Sequence, residues 1–407
     1  MSKLNDLIIQ LCPDGVQYKP MWTITTWDKQ FNGVDKKKQP AINKHHYYLA
    51  RELESLIVPN GDIKILTTSP SDLYTTTGLV KDNIKDGEIV AIPGGGNAIV
   101  QYYNGKYITS DNRIAIVNDA KQLNCKFLYY VLKNREKELA KYYRGAGIKH
   151  PNMLKVLHME IPLPPLPVQE EIVRILDSFT ELEAELEAEL EAELADRKEQ
   201  YEYYRDHLLD KNTLERMDGK PVEMRKFGEA AHIGKGTYIT KKETKPGEIP
   251  VILGGTTPAY WHNEANHEGE AIVISRSGAN AGFVSYWNEP IFVSDGFIVE
   301  TDNALVCRYL YHVLKSAQNA INALKRGGGV PHVNGKMLAD IELPVPSIAT
   351  QERVVDILDR FDTLTTSLTD GIPAEIAMRR EQYEYYRSRI LDFPRLPDGS
   401  ASDGDGK

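Results

Sequence analysis

The sequence predicts an α+β fold in which two α/β globules alternate with two long helices, with an approximate internal two-fold. Three observations predict it. The first is a duplication at a constant offset of 182 positions: QEEIVRILDSF at Gln169–Phe179 returns as QERVVDILDRF at Gln351–Phe361, and EQYEYYR at Glu199–Arg205 returns unchanged at Glu381–Arg387. The same offset carries Arg144, Gly145, Gly147, His150 and Asn152 onto Arg326, Gly327, Gly329, His332 and Asn334. The second is the alternation of β-rich stretches with stretches of helical apolar spacing. The third is a proline-rich lead-in before each helical stretch, Ile161–Pro167 and Leu343–Pro346, where each proline excludes helix from the residue before it.

In order, residues 1–160 form the first globule. Glu88–Pro93 reads as a buried strand, and Ala98–Tyr103 with Lys106–Ser110 flanks Asn104-Gly105, the dipeptide that most favours a tight hairpin. Arg113–Asn118 is a further strand, followed by helix from Asn124 to about Tyr142. Residues 161–210 carry the first long helix, from about Val168 to Leu209, with leucines at 182, 186, 190 and 194 and glutamate at every odd position from 181 to 193. A four-residue period drifts about 40° per step, so the leucine stripe winds around the helix. The glutamates read as a solvated face or as a spacer that repels phosphate. The second globule, 211–342, repeats the plan with strands at Ile249–Leu253, Glu270–Ser275, Gly282–Trp287 and Ile291–Thr301 and a helix near Val306–Lys325. Residues 343–393 hold the second helix, about Thr350–Leu391, which Gly371 and Pro373 should kink or interrupt. Helices this long need a lengthwise mate, and each is the natural mate of the other. The tail, 394–407, is expected to be disordered.

Composition narrows the function. Of 407 residues 41% are hydrophobic, and no apolar run approaches the roughly 20 residues of a membrane span. Three cysteines (Cys12, Cys125, Cys307) make no disulfide framework, which favours the cytoplasm, and the repeat equivalents Cys125 and Cys307, just ahead of a helix in each module, are expected as buried thiols. No metal-ligand spacing is present. The net charge of −9 is unevenly placed: residues 1–150 are +6, 151–210 are −11, 211–340 are +1 and 341–407 are −5. Both globules therefore stay open to polyanions.

No phosphate-binding loop or nucleophile elbow occurs, and no catalytic residue is expected. Gly94-Gly-Gly96 leads into a strand, so it reads as a tight turn and not as an anion cradle at a helix N-terminus. Candidates for nucleic-acid contact are Lys36, Lys37 and Lys38 with Lys44, His45 and Tyr47, and Ser69 and Thr75 within a hydroxyl-rich run. In the second globule they are Lys235, Thr237, Tyr238, Trp261, Arg276, Ser277 and Asn280. Arginine and asparagine suit guanine and adenine edges, although Arg276 could equally pair with a neighbouring acid. Arg144 and Arg326 recur in both modules, which points to phosphate contact or capping. Tyr201 and Tyr204, with Tyr383 and Tyr386, mark helix faces for packing within the helix pair or for docking another subunit.

On these motifs, with the central four-residue repeat, the whole chain resembles the DNA-specificity subunit of type I restriction–modification systems. The resemblance implies a non-catalytic protein with two target-recognition domains, each reading one half of a bipartite site in double-stranded DNA. It implies an antiparallel coiled coil that spaces them and receives two modification subunits, which bring S-adenosylmethionine and methylate adenine. Restriction subunits, using ATP and Mg²⁺, would join the complex. The unequal composition of the two helices, LEAE in one and TDGIPAEI in the other, departs from perfect symmetry.

Overall fold

The computed structural model describes residues 2–80, 83–255, 257–327, 329–366 and 371–397. They fall into two compact units, Met1–Leu186 with Met378–Lys407, and Glu187–Ala377. The first long helix is unbroken over Leu166–Leu208. Its leucine stripe winds as the four-residue period requires: Leu182 is 60% exposed and Leu190 only 8%. The second stretch is two helices, Ile348–Thr366 and Ile372–Ile390. Pro373 lies in the first turn of the latter, where a missing N–H removes no helical bond. Leu368, which the 182-residue offset aligns with Leu186, lies outside the described residues.

The N-terminal unit carries a six-stranded sheet in the order Thr25–Trp27, Asn112–Val117, Lys85–Pro93, Gln101–Thr109, Ile63–Leu66, Tyr74–Thr75. All neighbours are antiparallel except Ile63–Leu66 on Gln101–Thr109. The hairpin expected at Asn104-Gly105 does not form. Gln101–Thr109 runs straight through it, because Lys85–Pro93 pairs with it there, Gly87 opposite Gly105 and Glu88 opposite Asn104, and Ile63–Leu66 joins the other side from Tyr107 onward. Both glycines take positive φ, 132° and 135°, so the dipeptide's conformational freedom serves the middle of a ladder. The expected helix from Asn124 is two, Cys125–Asn134 and Glu136–Ala140, the first capped by the Asn124 side chain.

In the C-terminal unit, four strands pair as Ala231–Lys235, Gly296–Thr301, Glu270–Ser275, Val284–Asn288. Tyr260–His262, Ile249–Ile252 and Phe292–Val293 form a separate three-stranded sheet. The expected strand Ile291–Thr301 therefore breaks at Ser294-Asp295 and serves both sheets.

Each unit joins its globule to its helix through the same buried glutamine. Gln169 Oε1 accepts from Asn124 N at 2.9 Å, while Nε2 donates to the carbonyls of Gln122 (2.8 Å) and Pro164 (2.7 Å). Gln351 repeats this with Val306 N (2.8 Å), Ala304 (2.9 Å) and Pro346 (2.8 Å). The proline-rich leads are strands, Glu160–Leu163 on Gln17–Pro20 and Glu342–Val345 on Glu223–Lys226. Pro394–Leu396 are not loose as expected. Val16 N donates to Pro394 O (2.9 Å), Leu396 N donates to Val16 O (3.0 Å), and Arg395 pairs with Glu160. Residues 398–407 of the tail lie outside the described residues.

Candidate nucleic-acid interface

In the N-terminal unit a cleft of about 630 Å³ opens between the Lys29–Asn32 loop, the Gly94 turn, Arg113 and the Arg144–Asn152 hairpin. The turn is tied to this hairpin and not to a helix: His150 Nδ1 lies 2.6 Å from Gly94 O, and Gly96 N donates to Lys149 O at 2.8 Å. Arg113 lies directly behind the turn. Its Nη1 is 2.8 Å from Asp111 Oδ1, and its guanidinium stands 6.0 Å over the Tyr47 ring. Beneath it Asp28 accepts from Ile114 N at 2.7 Å and from the Tyr47 hydroxyl. Burial pushes both the Asp28 carboxyl and the Tyr47 phenol above their usual range.

The cleft gathers only one residue of the sequence-predicted set, the exposed Arg144. Lys36–Lys38 form a short 3-10 turn capped by Asp35, with Lys36 and Lys37 exposed and Lys38 Nζ 2.7 Å from His158 Nε2. Lys44 and Ser69 are exposed. Three candidates turn inward instead. His45 stacks on Tyr107 and meets its hydroxyl at 2.7 Å, and burial lowers its imidazole pKa. Tyr47 is engaged with Asp28. Thr75 is wholly buried in the edge strand, its hydroxyl without a partner among the described residues. Short hydroxyl and aromatic side chains fit a strand as well as a loop, and the sequence carries no signal that separates the two.

In the C-terminal unit Arg276 does what its alternative reading held. It pairs with Asp295, Nε and Nη2 each 2.8 Å from Oδ1, while its side chain stays 45% exposed. Ser277 is tied to the other Asp295 oxygen and Asn280 is exposed. Arg326 donates to the carbonyls of Ala323 (3.3 Å) and Lys325 (3.1 Å), a capping role. Lys235 and Thr237 are exposed, and Tyr238 and Trp261 show 71% and 55% of their surface. Sequence reasoning missed Arg113 and Lys29. The first reads as an ordinary strand residue, and only the packing of Gly94 reveals what it faces.

Of the helix tyrosines, Tyr201 is buried, its hydroxyl 3.1 Å from His312 Nδ1, so it offers no docking surface. Tyr383 bonds Thr180 (2.8 Å). Tyr386 meets Phe179 at 6.5 Å between ring centroids, and its repeat equivalent Tyr204 stacks on Phe361 at 5.4 Å. Tyr204, Tyr383 and Tyr386 thus meet residues of the opposite long-helix stretch and Tyr201 a residue of the globule, and Tyr203 and Tyr385 are the more exposed rings.

Two α/β units on one duplicated plan, each with charged loops at the same turn, define a tandem recognition protein. The chain belongs to the type I restriction modification DNA specificity domain family, which it matches twice, over residues 23–195 and 219–378. It is 34% identical over 334 residues to a putative type I restriction enzyme specificity subunit of Haemophilus influenzae, covering 76% of this chain and 83% of that one. It is 35% identical over 301 residues to the EcoR124I/EcoR124II specificity subunit of Escherichia coli, covering 66% and 71%. The crystal structure of a type I restriction–modification S subunit from M. genitalium superposes with a TM-score of 0.50 at 18% identity, over 93% of this chain and 96% of that one. That likeness extends to the fold. No helix among the described residues is long and apolar enough to cross a membrane.

Proposed function

We propose that this chain is the subunit that reads a bipartite DNA site for a type I restriction–modification complex, one half-site per globule, and that it performs no chemistry itself. One observation carries the reading. The joint between globule and helix is repeated bond for bond, at Gln169 and Gln351, whereas the side chains at the turn facing outward differ. A shared frame with different readers suits a target of two unlike halves. In this reading the long helices pair as an antiparallel coiled coil related by a pseudo-two-fold, set the distance between half-sites and receive two modification subunits. Tyr203 and Tyr385, 65% and 56% exposed, are repeat equivalents suited to that docking. S-adenosylmethionine belongs to the modification subunits, and ATP and Mg²⁺ to restriction subunits, all in the cytoplasm.

The test is to map methylated adenines in cells carrying this chain with its modification subunit. Two short defined sequences separated by an unspecified spacer are expected. A single contiguous site, or methylation without sequence preference, would overturn the reading. Specific binding should also weaken steeply with salt, as phosphate contacts require.

A further inference from the structure

Resting on that reading, we propose that each unit reads a guanine of its half-site with one guanidinium set at the same turn but delivered from a different position, a strand in one unit and the turn itself in the other. The reader is Arg113 in the N-terminal unit and Arg276 in the C-terminal unit. The 182-residue offset aligns Gly94 with Arg276 and Arg113 with Asp295. These two positions are sterically coupled. A Cβ on Gly94 would lie 2.5 Å from Arg113 Nη2 and 2.6 Å from both Asp111 O and Oδ2, so no side chain can stand there while Arg113 does. In the C-terminal unit the turn carries the arginine, and the break between Phe292–Val293 and Gly296–Thr301 carries the shorter aspartate. The turn itself is the same in both, with Gly96 N on Lys149 O at 2.8 Å and Gly278 N on Pro331 O at 3.0 Å.

Each guanidinium is also anchored by one carboxylate, through different nitrogens. Arg113 sets Nη1 on Asp111 Oδ1 at 2.8 Å and on Asn112 O at 3.1 Å. Arg276 sets Nε and Nη2 on Asp295 Oδ1, and Ser277 holds the other carboxylate oxygen. A planar fork of five N–H donors held along one edge can offer another edge to a pair of acceptors. Among base edges in the major groove, guanine presents two acceptors together, O6 and N7. In front of Arg113 the turn is Gly94-Gly-Gly96, which places no side chain between it and an approaching base pair. Lys29 and Arg144 border the same cleft, where flanking phosphates would lie. Arg113 is recessed, 8% exposed, and Arg276 projects, so the N-terminal contact is the more demanding in shape.

The experiment uses the full chain with its modification subunit, as wild type, Arg113→Lys and Arg276→Lys, since lysine keeps the charge and its carboxylate partner but loses the fork. Binding is measured on duplexes with each half-site base replaced in turn, and on duplexes carrying 7-deazaguanine, which lacks the N7 acceptor. Arg113→Lys should relax one guanine position of the N-terminal half-site roughly ten- to a hundred-fold and leave the other half intact; Arg276→Lys should do the converse. In the wild type, 7-deazaguanine at those positions should weaken binding, which tests the assignment even if a variant folds poorly. Weakening that is equal on all sequences would make the arginines phosphate contacts, and unchanged preferences would make them structural ion pairs. Either result overturns the assignment, as would a half-site without guanine. A wild type with no two-part preference would instead sink the functional reading.

Discussion

The N-terminal unit extends its core sheet outward by Ile63–Leu66 and Tyr74–Thr75, whereas the C-terminal unit builds a second, three-stranded sheet from Ile249–Ile252, Tyr260–His262 and Phe292–Val293. Against that divergence stands a joint whose bonded positions are the same in both units. Besides the two glutamines, Lys126 and Tyr130 bond Asp177, and their equivalents Arg308 and His312 bond Asp359. The difference teaches where a duplicated fold tolerates change. Outer strands are held by apolar packing, which accepts many sequences of the right volume, while a buried polar joint works only with every partner in place.

The largest test of this contrast removes the joint. Gln169→Leu leaves one N–H and two carbonyls without their partner, as does Gln351→Leu, and each should cost about 3 kcal/mol or more. Urea unfolding of the two variants should show similar losses. A loss at one site several times that at the other would mean that the repeat is one of shape and not of energetics.

A smaller effect separates the units. Gly15 has φ +107° and a Cβ there would lie 2.4 Å from Pro394 O, whereas Gly219, φ +70°, has nothing within 4 Å. Gly15→Ala should therefore cost about 2–3 kcal/mol and release the C-terminal strap, against about 1 kcal/mol for Gly219→Ala. Limited proteolysis after Phe393 would report the release. Equal costs would mean that the strap adds nothing to the N-terminal unit.

Much of this frame is legible in the sequence, because a repeat with helical periodicity fixes element order without any knowledge of contacts. The long helix and the strand Glu270–Ser275 fall within a few residues of their expected bounds. What fails depends on neighbours distant in sequence. Asn104-Gly105 has the composition of a turn, yet pairing with Gly87 and Glu88 of a neighbouring strand carries the chain straight through it. Tyr47 and His45 look like loop aromatics until Asp28 and Tyr107 are found beside them. Arg113 gives no signal at all as a strand residue, and the glycine that makes room for it is explained only by the packing.

Acid should expose a further difference. Glu171 bonds Arg174 and Lys3, which hold its carboxyl down to about 2, and position 353 of the C-terminal unit is an arginine with no such role to play. A folded-state value below the unfolded one of about 4.3 gives stability that is present above pH ~4.3 and lost as pH falls toward 2. Because Arg174 and Lys3 are largely exposed, the contribution should stay below about 1 kcal/mol. Glu171→Gln should lower N-terminal stability at pH 7 and leave it unchanged near pH 2. An equal effect at both pH values would trace the loss to packing and not to charge.

The smallest change in stability should come from the helices, where one stretch is continuous and its counterpart is two segments. Deleting Leu186–Glu189 removes one four-residue unit, about 6 Å and about 400° of rotation, which nearly preserves the helix face. Leu190 and Leu194 then take the places of Leu186 and Leu190, so the packing lost should be slight. Glu183 marks the limit of that tolerance: burial raises its pKa while Arg387 and Arg380 oppose the shift, so part of the acidic run is not merely solvated. At roughly 3.4 Å per base pair, 6 Å of helix corresponds to one or two base pairs of spacer. Methylation mapping of the deletion should show both half-sites unchanged and the spacer shorter by that amount. A spacer that keeps its length with full activity would show that the continuous helix does not set the distance, leaving the two-segment helix to be tested by the same deletion logic.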